Sequence, residues 1–234
     1  MIYITGDRHG DYYDIKEFCI INKTTKKDIL IILGDAGINY YLDERDNILK
    51  EELLNLPITF FCIHGNHEER PYNIKTYKEK TFHGGIIYYE DKYPNILFAQ
   101  DGEIYNFNYF KTLVIGGAYS VDKYYRIAKG YNWFKSEQPD NTIKNKVRKV
   151  LKNNNYKIDI ILSHTCPFKY ISREMFLSFI DQSTVDYSTE KFLNEIEEKI
   201  KYIKWYCGHY HTDKIIDNIN FMYYSIELFK EKED

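Results

Sequence analysis

The chain lacks the features that would settle its class at a glance. Its four cysteines, Cys19, Cys62, Cys166 and Cys207, show no paired spacing, which argues against a disulfide framework. Cys19, Cys62 and Cys207 lie in apolar runs and read as packed, reduced thiols. No apolar stretch approaches the ~20 residues that a membrane-spanning helix requires. A strong charge of either sign is also missing: 32 Lys and Arg against 35 Asp and Glu leave a net charge of −3, which excludes a general polyanion binder. There is no Pro/Gly/Ser-rich linker, internal repeat or low-complexity block. One domain over residues 1–234, with one sizeable core, is therefore the expectation. The first notable motif begins at Gly6 and leaves no room for a signal peptide ahead of it. With the reduced thiols, this gives a cytoplasmic protein as the expected location. The 24 tyrosines are a compositional bias to which no function is attached.

What the chain does have is five short fragments in a fixed order: Gly6-Asp7-Arg8-His9-Gly10, Gly34-Asp35-Ala36-Gly37, Gly65-Asn66-His67-Glu68, Ser163-His164-Thr165 and Gly208-His209-Tyr210-His211. Each ends an apolar, β-branched or aromatic run. Met1–Thr5, Asp28–Leu33, Ile58–Ile63, Ile158–Leu162 and Tyr202–Cys207 read as strands, and continuous apolar runs of this length suit strands buried on both faces. Ligand sites of open α/β sheets collect at the carboxyl ends of such strands. Helices are expected at Asp11–Ile21, Glu44–Leu54 (with Ile48, Leu49, Leu53 and Leu56 near one face) and Thr142–Asn153. A fourth follows a cap at Ser188 or Thr189, with Phe192, Leu193, Ile196 and Ile200 as its stripe. Short strands at Gly85–Tyr89, Ile96–Ala99, Glu103–Phe107, Thr112–Ile115 and Asn220–Ser225 suggest an antiparallel middle region. The charged tail from Lys230 to Asp234 reads as frayed.

Asp, Asn and His are the side chains that ligate hard and borderline metal ions. The fragments supply Asp7, His9, Asp35, Asn66, His164, His209 and His211, enough for a pair of divalent ions if one carboxylate bridges them. Two carboxylates offset half the charge of two dications, and a bridging hydroxide leaves about one positive unit. Such a centre attracts a phosphate oxygen and generates hydroxide at neutral pH.

The ordered set, spanning essentially the whole chain, resembles the calcineurin-like metallophosphoesterase superfamily, in particular its small bacterial and phage-type members. The resemblance implies an α/β fold, an αββα sandwich of two mixed sheets flanked by helices. It also implies two divalent ions, Mn in the first place with Fe or Zn as alternatives. By position, Asp7, His9, Asp35 and His211 would hold the first ion and Asp35, Asn66, His164 and His209 the second, with Asp35 bridging. A bridging hydroxide would be the nucleophile. His67 would be the catalytic acid that protonates the leaving oxygen or steadies the transition state, a task suited to a group whose pKa lies near neutrality.

One departure matters. The protein Ser/Thr phosphatase branch carries an Asp three positions after the bridging Asp, followed by Arg; here Ile38 and Asn39 stand there. The carboxylate that would orient the catalytic His is missing from that place, and Glu68 is a candidate substitute. His83, in a His-Gly-Gly run, comes too early in the order and reads as a loop residue. The block Val114–Arg126, with Trp133 and Glu137, resembles the segment after the central strand of the small phosphoesterases. Arg8, Lys123 and Arg126 are candidate phosphate contacts; for the last two, a salt-bridged structural loop with Asp122 and Glu137 is the competing reading. Tyr131 and Trp133 are either an aromatic wall or packing.

The expected partner is a phosphate-ester substrate, with no membrane and with nucleic acid only as a substrate. A monoester is a dianion and favours a tight cationic pocket; a diester needs an open groove and less positive charge. The alternatives are a phosphodiesterase or nuclease, for which Lys144, Lys146, Arg148, Lys149 and Lys152 on one helix would supply a basic face, and a non-catalytic metal-binding scaffold.

Overall fold

The computed structural model describes residues 1–171, 174 and 182–230; the tail beyond Lys230, read above as frayed, lies outside them. Its strands are β1 (Ile2–Thr5), β2 (Ile29–Ile32), β3 (Thr59–Cys62), β4 (Lys78–Phe82), β5 (Gly85–Tyr89), β6 (Ile96–Ala99), β7 (Ile104–Phe107), β8 (Phe110–Ile115), β9 (Ile160–Ser163), β10 (Lys204–Cys207), β11 (Lys214–Ile216), β12 (Ile219–Phe221) and β13 (Ile226–Leu228). The helices are α1 (Tyr13–Asn22), α2 (Glu44–Leu54), α3 (Lys123–Lys129), α4 (Asn141–Asn153) and α5 (Ser188–Glu197).

The strands form two mixed sheets, β13-β1-β2-β3-β6-β5-β4 and β11-β12-β10-β9-β8-β7. The alternation of side chains along a strand explains the layers. Ile31, Phe61 and Ile63 of the first sheet meet Val114, Ile160, Leu162 and Tyr206 of the second in one apolar layer. Their neighbours Leu30, Ile32 and Phe60 turn outward to Ile15 and Cys19 of α1 and Leu53 of α2. On the far side, Leu113, Ile161 and Trp205 pack under Val147 and Leu151 of α4 and Phe192, Leu193 and Ile196 of α5. The order is helix, sheet, sheet, helix, as the resemblance implies. All four cysteines are buried and free. No helix among the described residues is long and apolar enough to cross a membrane.

The differences have physical reasons. The middle strands are not all antiparallel: β6 runs parallel to β3 and β8 parallel to β9, while β4-β5-β6 and β7-β8 pair antiparallel. β4 reads Lys-Glu-Lys-Thr-Phe and carries no strand pattern; it is an edge, where charge discourages further pairing. The expected Asn220–Ser225 strand stops at Phe221, the end of β12; beyond it Asp213 accepts from the backbone N–H groups of Tyr223, Tyr224 and Ser225, and the next strand, β13, begins only at Ile226. Ile48 is half-exposed rather than on the buried face of α2. α5 gains no side-chain cap from Ser188 or Thr189; Asp186 accepts from the Ser188 N–H at 2.9 Å and Thr189 is buried against Gln138.

Candidate metal centre

β1, β2 and β3 run parallel in one sheet and β9 and β10 run parallel in the other. Each of these five strands ends at, or within three residues of, the start of one of the five fragments, so the loops that carry the donors follow the carboxyl ends of these strands. His9, Asp35, His209 and His211 have φ between 46° and 68°. That left-handed region is uncommon for residues with a Cβ, and Asp and His are among those that tolerate it. Four donors in it mark loops shaped for what they hold rather than for relaxed backbone. Two glycines make the approach possible. A Cβ on Gly65 would stand 2.0 Å from Asp35 Oδ1, and one on Gly208 would stand 2.2 Å from Asp7 Oδ1.

The donors meet in overlapping groups. Asp7, His9 and His211 offer ligand atoms within 4.8 Å of one another, as do Asp7, Asp35 and His164, and also His9, Asp35 and His67. Asp7 Oδ2 is buried and lacks a hydrogen bond. It lies 3.3 Å from His211 Nε2 and 3.8 Å from His9 Nε2. Side chains each ~2 Å from one shared cation stand about this far apart. His164 Nδ1 is 2.7 Å from the Leu33 carbonyl, which fixes the ring and aims Nε2 at Asp35 Oδ2, 3.6 Å away, and at Asn66 Oδ1, 2.8 Å away. An imidazole held by a carbonyl on its far nitrogen is the usual arrangement of a histidine that binds metal. Asn66 is oriented in turn by Ser120, whose Oγ takes its amide hydrogen at 2.9 Å. Tyr223 stacks on His211, 4.4 Å between ring centres and 8° from parallel.

The electrostatics fit a cation. Burial alone would raise Asp7 and Asp35, but the surrounding histidines, His164 foremost with His211 and His9 at Asp7 and His67 and His9 at Asp35, together outweigh it, and both carboxyls sit below their usual range, Asp35 well below. Burial drives His209 down to about 3, so its ring is neutral and has a lone pair to offer. Burial would also lower His164, yet Asp35 and then Asp7 push it up to about 10. A cation at Nε2 would take that proton's place, so metal uptake releases a proton.

The sequence matches the calcineurin-like phosphoesterase family over residues 1–213. The chain belongs to that family. It is also similar to the uncharacterized metallophosphoesterase YkuE of Bacillus subtilis (strain 168), with 29% identity over 105 residues. That stretch is 42% of this chain and 37% of the relative, so the match spans little more than a third of YkuE.

In this calcineurin-like chain His67 stands at the rim. Its backbone N–H donates to Asp35 Oδ1 at 2.7 Å, and its ring lies 5.4 Å from that of His9. Burial lowers its pKa, with Asp35 opposing. Glu68 does not face it. Glu68 is fully buried, held above the usual carboxyl range by burial and then by Asp35, and Oε1 accepts from the Gly65 N–H at 2.7 Å. The carboxylate opposite His67 is Asp122, whose Oδ1 is 3.9 Å from Nε2. It comes from the loop before α3, in the Val114–Arg126 block, where the sequence offered it only as a salt-bridge partner of Lys123 or Arg126. Ser120, in the same block, was given no role, and no motif pointed to Tyr223.

The three candidate phosphate contacts are engaged elsewhere. Arg8 donates to Asp14 and to the Tyr223 carbonyl, both at 2.6 Å. Arg126 is 2% exposed, reaching Ser120 Oγ at 3.3 Å and the Asn132 carbonyl. Lys123 Nζ lies over the Trp133 ring at 4.1 Å, and Trp133 donates to Glu137 at 2.7 Å. Trp133 is thus packing; Tyr131 is exposed. His83 sits in the β4–β5 turn, its Nδ1 3.1 Å from the Asn106 carbonyl. On α4, Lys146 pairs with Glu103 and Arg148 with Glu195, which takes two charges from the basic face.

Proposed function

We propose that the protein is a metal-dependent phosphoesterase, a phosphoric ester hydrolase, in which Asp7, His9, Asp35 and His211 hold one divalent ion and Asp35, Asn66, His164 and His209 a second. When bound, the pair supplies a nucleophilic hydroxide at neutral pH and a cationic seat for phosphate oxygens. Asp35, common to two of the donor groups, would be the shared carboxylate. His67 meets the departing oxygen and donates its proton, and Asp122 faces the same ring and orders it. Ser120 and Tyr223 keep Asn66 and His211 in place. The chain acts in the cytoplasm, with manganese as the first candidate ion.

The observation that carries this reading is the buried Asp7 Oδ2, without a hydrogen bond and flanked by two imidazole nitrogens. A carboxylate oxygen so withdrawn from water is costly unless a cation compensates it. The test is hydrolysis of p-nitrophenyl phosphate and bis(p-nitrophenyl) phosphate with added Mn. Turnover is expected, and loss with a chelator or in Asp35→Asn. Stoichiometric metal binding with no turnover of either ester would leave the non-catalytic scaffold.

A further inference from the structure

Granted the phosphoesterase reading above, His67 has to be held at the rim of the centre, and its loop is tied down away from the ring. That loop, His64 to Arg70, follows β3 and carries Asn66; the loop after β8, Gly116 to Asp122, carries Ser120 and Asp122. The two lie side by side. The Gly117 N–H donates to the His64 carbonyl at 2.7 Å, and the Asn66 amide donates to Ser120 Oγ at 2.9 Å. Asp122 Oδ1 stands 3.9 Å from His67 Nε2, with Arg126 Nη1 at the same distance from that oxygen. Where the His67 loop ends, Arg70 pairs with Asp101 of the β6–β7 turn, the two side chains only 3% and 6% exposed. Asp101 Oδ2 takes Arg70 Nη1, and its Oδ1 accepts from the Gly116 N–H at 2.6 Å, so one carboxylate bridges the two loops. Arg70 Nε donates to the Ser136 carbonyl at 2.7 Å, which fixes the plane of the guanidinium. Gly117 makes room for it: a Cβ there would stand 3.0 Å from Arg70 Nη2 and 2.4 Å from the Glu137 carbonyl. A buried ion pair adds little net stability, because desolvation of both charges offsets their attraction. What this one adds is the spacing of two loops.

We infer that Arg70 and Asp101 are positioning residues for proton delivery: joined, they set the His67 loop against the Ser120–Asp122 loop, so that Asp122 faces the imidazole and the imidazole meets the departing oxygen. Neither residue lines the cavity at His67, so the pair acts through the loops and touches no substrate. Asp7, His9, Asp35, His164, His209 and His211 come from other loops, and Asn66 Oδ1 also lies 2.8 Å from His164 Nε2. Loosening the pair therefore falls on the His67 ring rather than on the ions.

The test uses the dependence on the leaving group. A phenolate needs a proton to depart more than a p-nitrophenolate does, so misplacing the acid penalises the phenyl ester. The variant is Arg70→Met with Asp101→Asn, which leaves no unpaired buried charge and keeps an acceptor for Gly116, so the Mn-loaded protein should fold and bind metal as wild type does. Its kcat/KM for phenyl phosphate should fall about tenfold more than that for p-nitrophenyl phosphate; should wild type cleave diesters instead, diphenyl phosphate and bis(p-nitrophenyl) phosphate give the same comparison. On a His67→Ala background the two changes should leave the ratio between the esters where His67→Ala alone puts it. Arg70→Met by itself, which strands the Asp101 charge, should also lower the melting temperature. Equal losses on both esters, full activity, a further shift of the ratio on His67→Ala, or loss of metal from the double variant overturns the inference alone. Turnover of no ester by wild type overturns the phosphoesterase reading and this inference with it.

Discussion

The floor of the site and its walls are built from different kinds of chain. The floor is five loops leaving the ends of central strands, with Asp7, Asp35, Asn66 and His164 buried and backbone N–H groups donating to Asp7 and Asp35. The walls are the loops after β8 and before α5, where, among the described residues, aromatic and aliphatic side chains meet the cavity and Lys123 and Arg126 nearby turn to partners within the protein. A floor of this kind allows little change, because the donors are fixed by strands that also make the core. The walls rest on contacts that a single substitution can redirect.

The comparison is tested most severely at Asp35. Asp35→Asn should lower turnover by at least about 10³-fold, since the carboxylate proposed to be shared by the two ions is lost along with several kcal/mol of charge stabilisation. Metal content measured on the purified variant should fall in parallel. Activity that survived with full metal content would mean that the floor does not work as a unit. His67→Ala should lower kcat by ~10²–10⁴ while metal content stays unchanged, because His67 is at the rim and Asp35 is reached by its backbone N–H, which alanine retains. Loss of metal in His67→Ala would move this residue from the rim into the floor.

Glu190 lies where floor and wall meet. It lines the cavity, accepts from Thr165 Oγ1 at 2.9 Å, and burial raises it to about 7. A carboxyl raised in the folded state contributes stability that is fully present below its unfolded value, ~4.5, and is lost as pH rises through 7. Glu190→Gln carries no such loss. In chelator-treated protein, urea denaturation should therefore show the variant gaining on wild type by on the order of 2–3 kcal/mol between pH 4.5 and 8. A pH-independent difference would mean that Glu190 is ionised throughout, part of a charged wall.

The floor was legible in the sequence and the walls were not. Asp7, His9, Asp35, Asn66, His164, His209 and His211 each follow an apolar run that reads as a buried strand, and the carboxyl ends of such strands are where ligand groups converge. β4, by contrast, is a charged edge strand stabilised by pairing rather than by an apolar face, and periodicity does not reveal it. The direction of a side chain in a loop depends on partners far away in the chain. Arg8 looks like a phosphate ligand between two metal donors until Tyr223, 215 residues on, takes its guanidinium. Glu68 follows His67 directly and still points to Gly65, while Asp122, 55 positions after His67, faces the imidazole.

The smallest expected effect sharpens the distinction most. Lys123 is a cation at the start of α3, next to a wall loop, and the sequence allowed it to contact phosphate. Its ammonium lies over the Trp133 ring, a contact worth about 0.5–1 kcal/mol at an exposed site, and Trp133 is tied to Glu137. Lys123→Ala should therefore cost stability of that size and change kcat/KM for either p-nitrophenyl ester by less than about fivefold. Lys123→Met, which keeps the stem over the ring without the charge, should differ even less from wild type. If both variants instead lost ~10²-fold in kcat/KM with unchanged stability, the ammonium would have to leave Trp133 for the substrate, and the walls would carry the charge that the structure assigns to the floor alone.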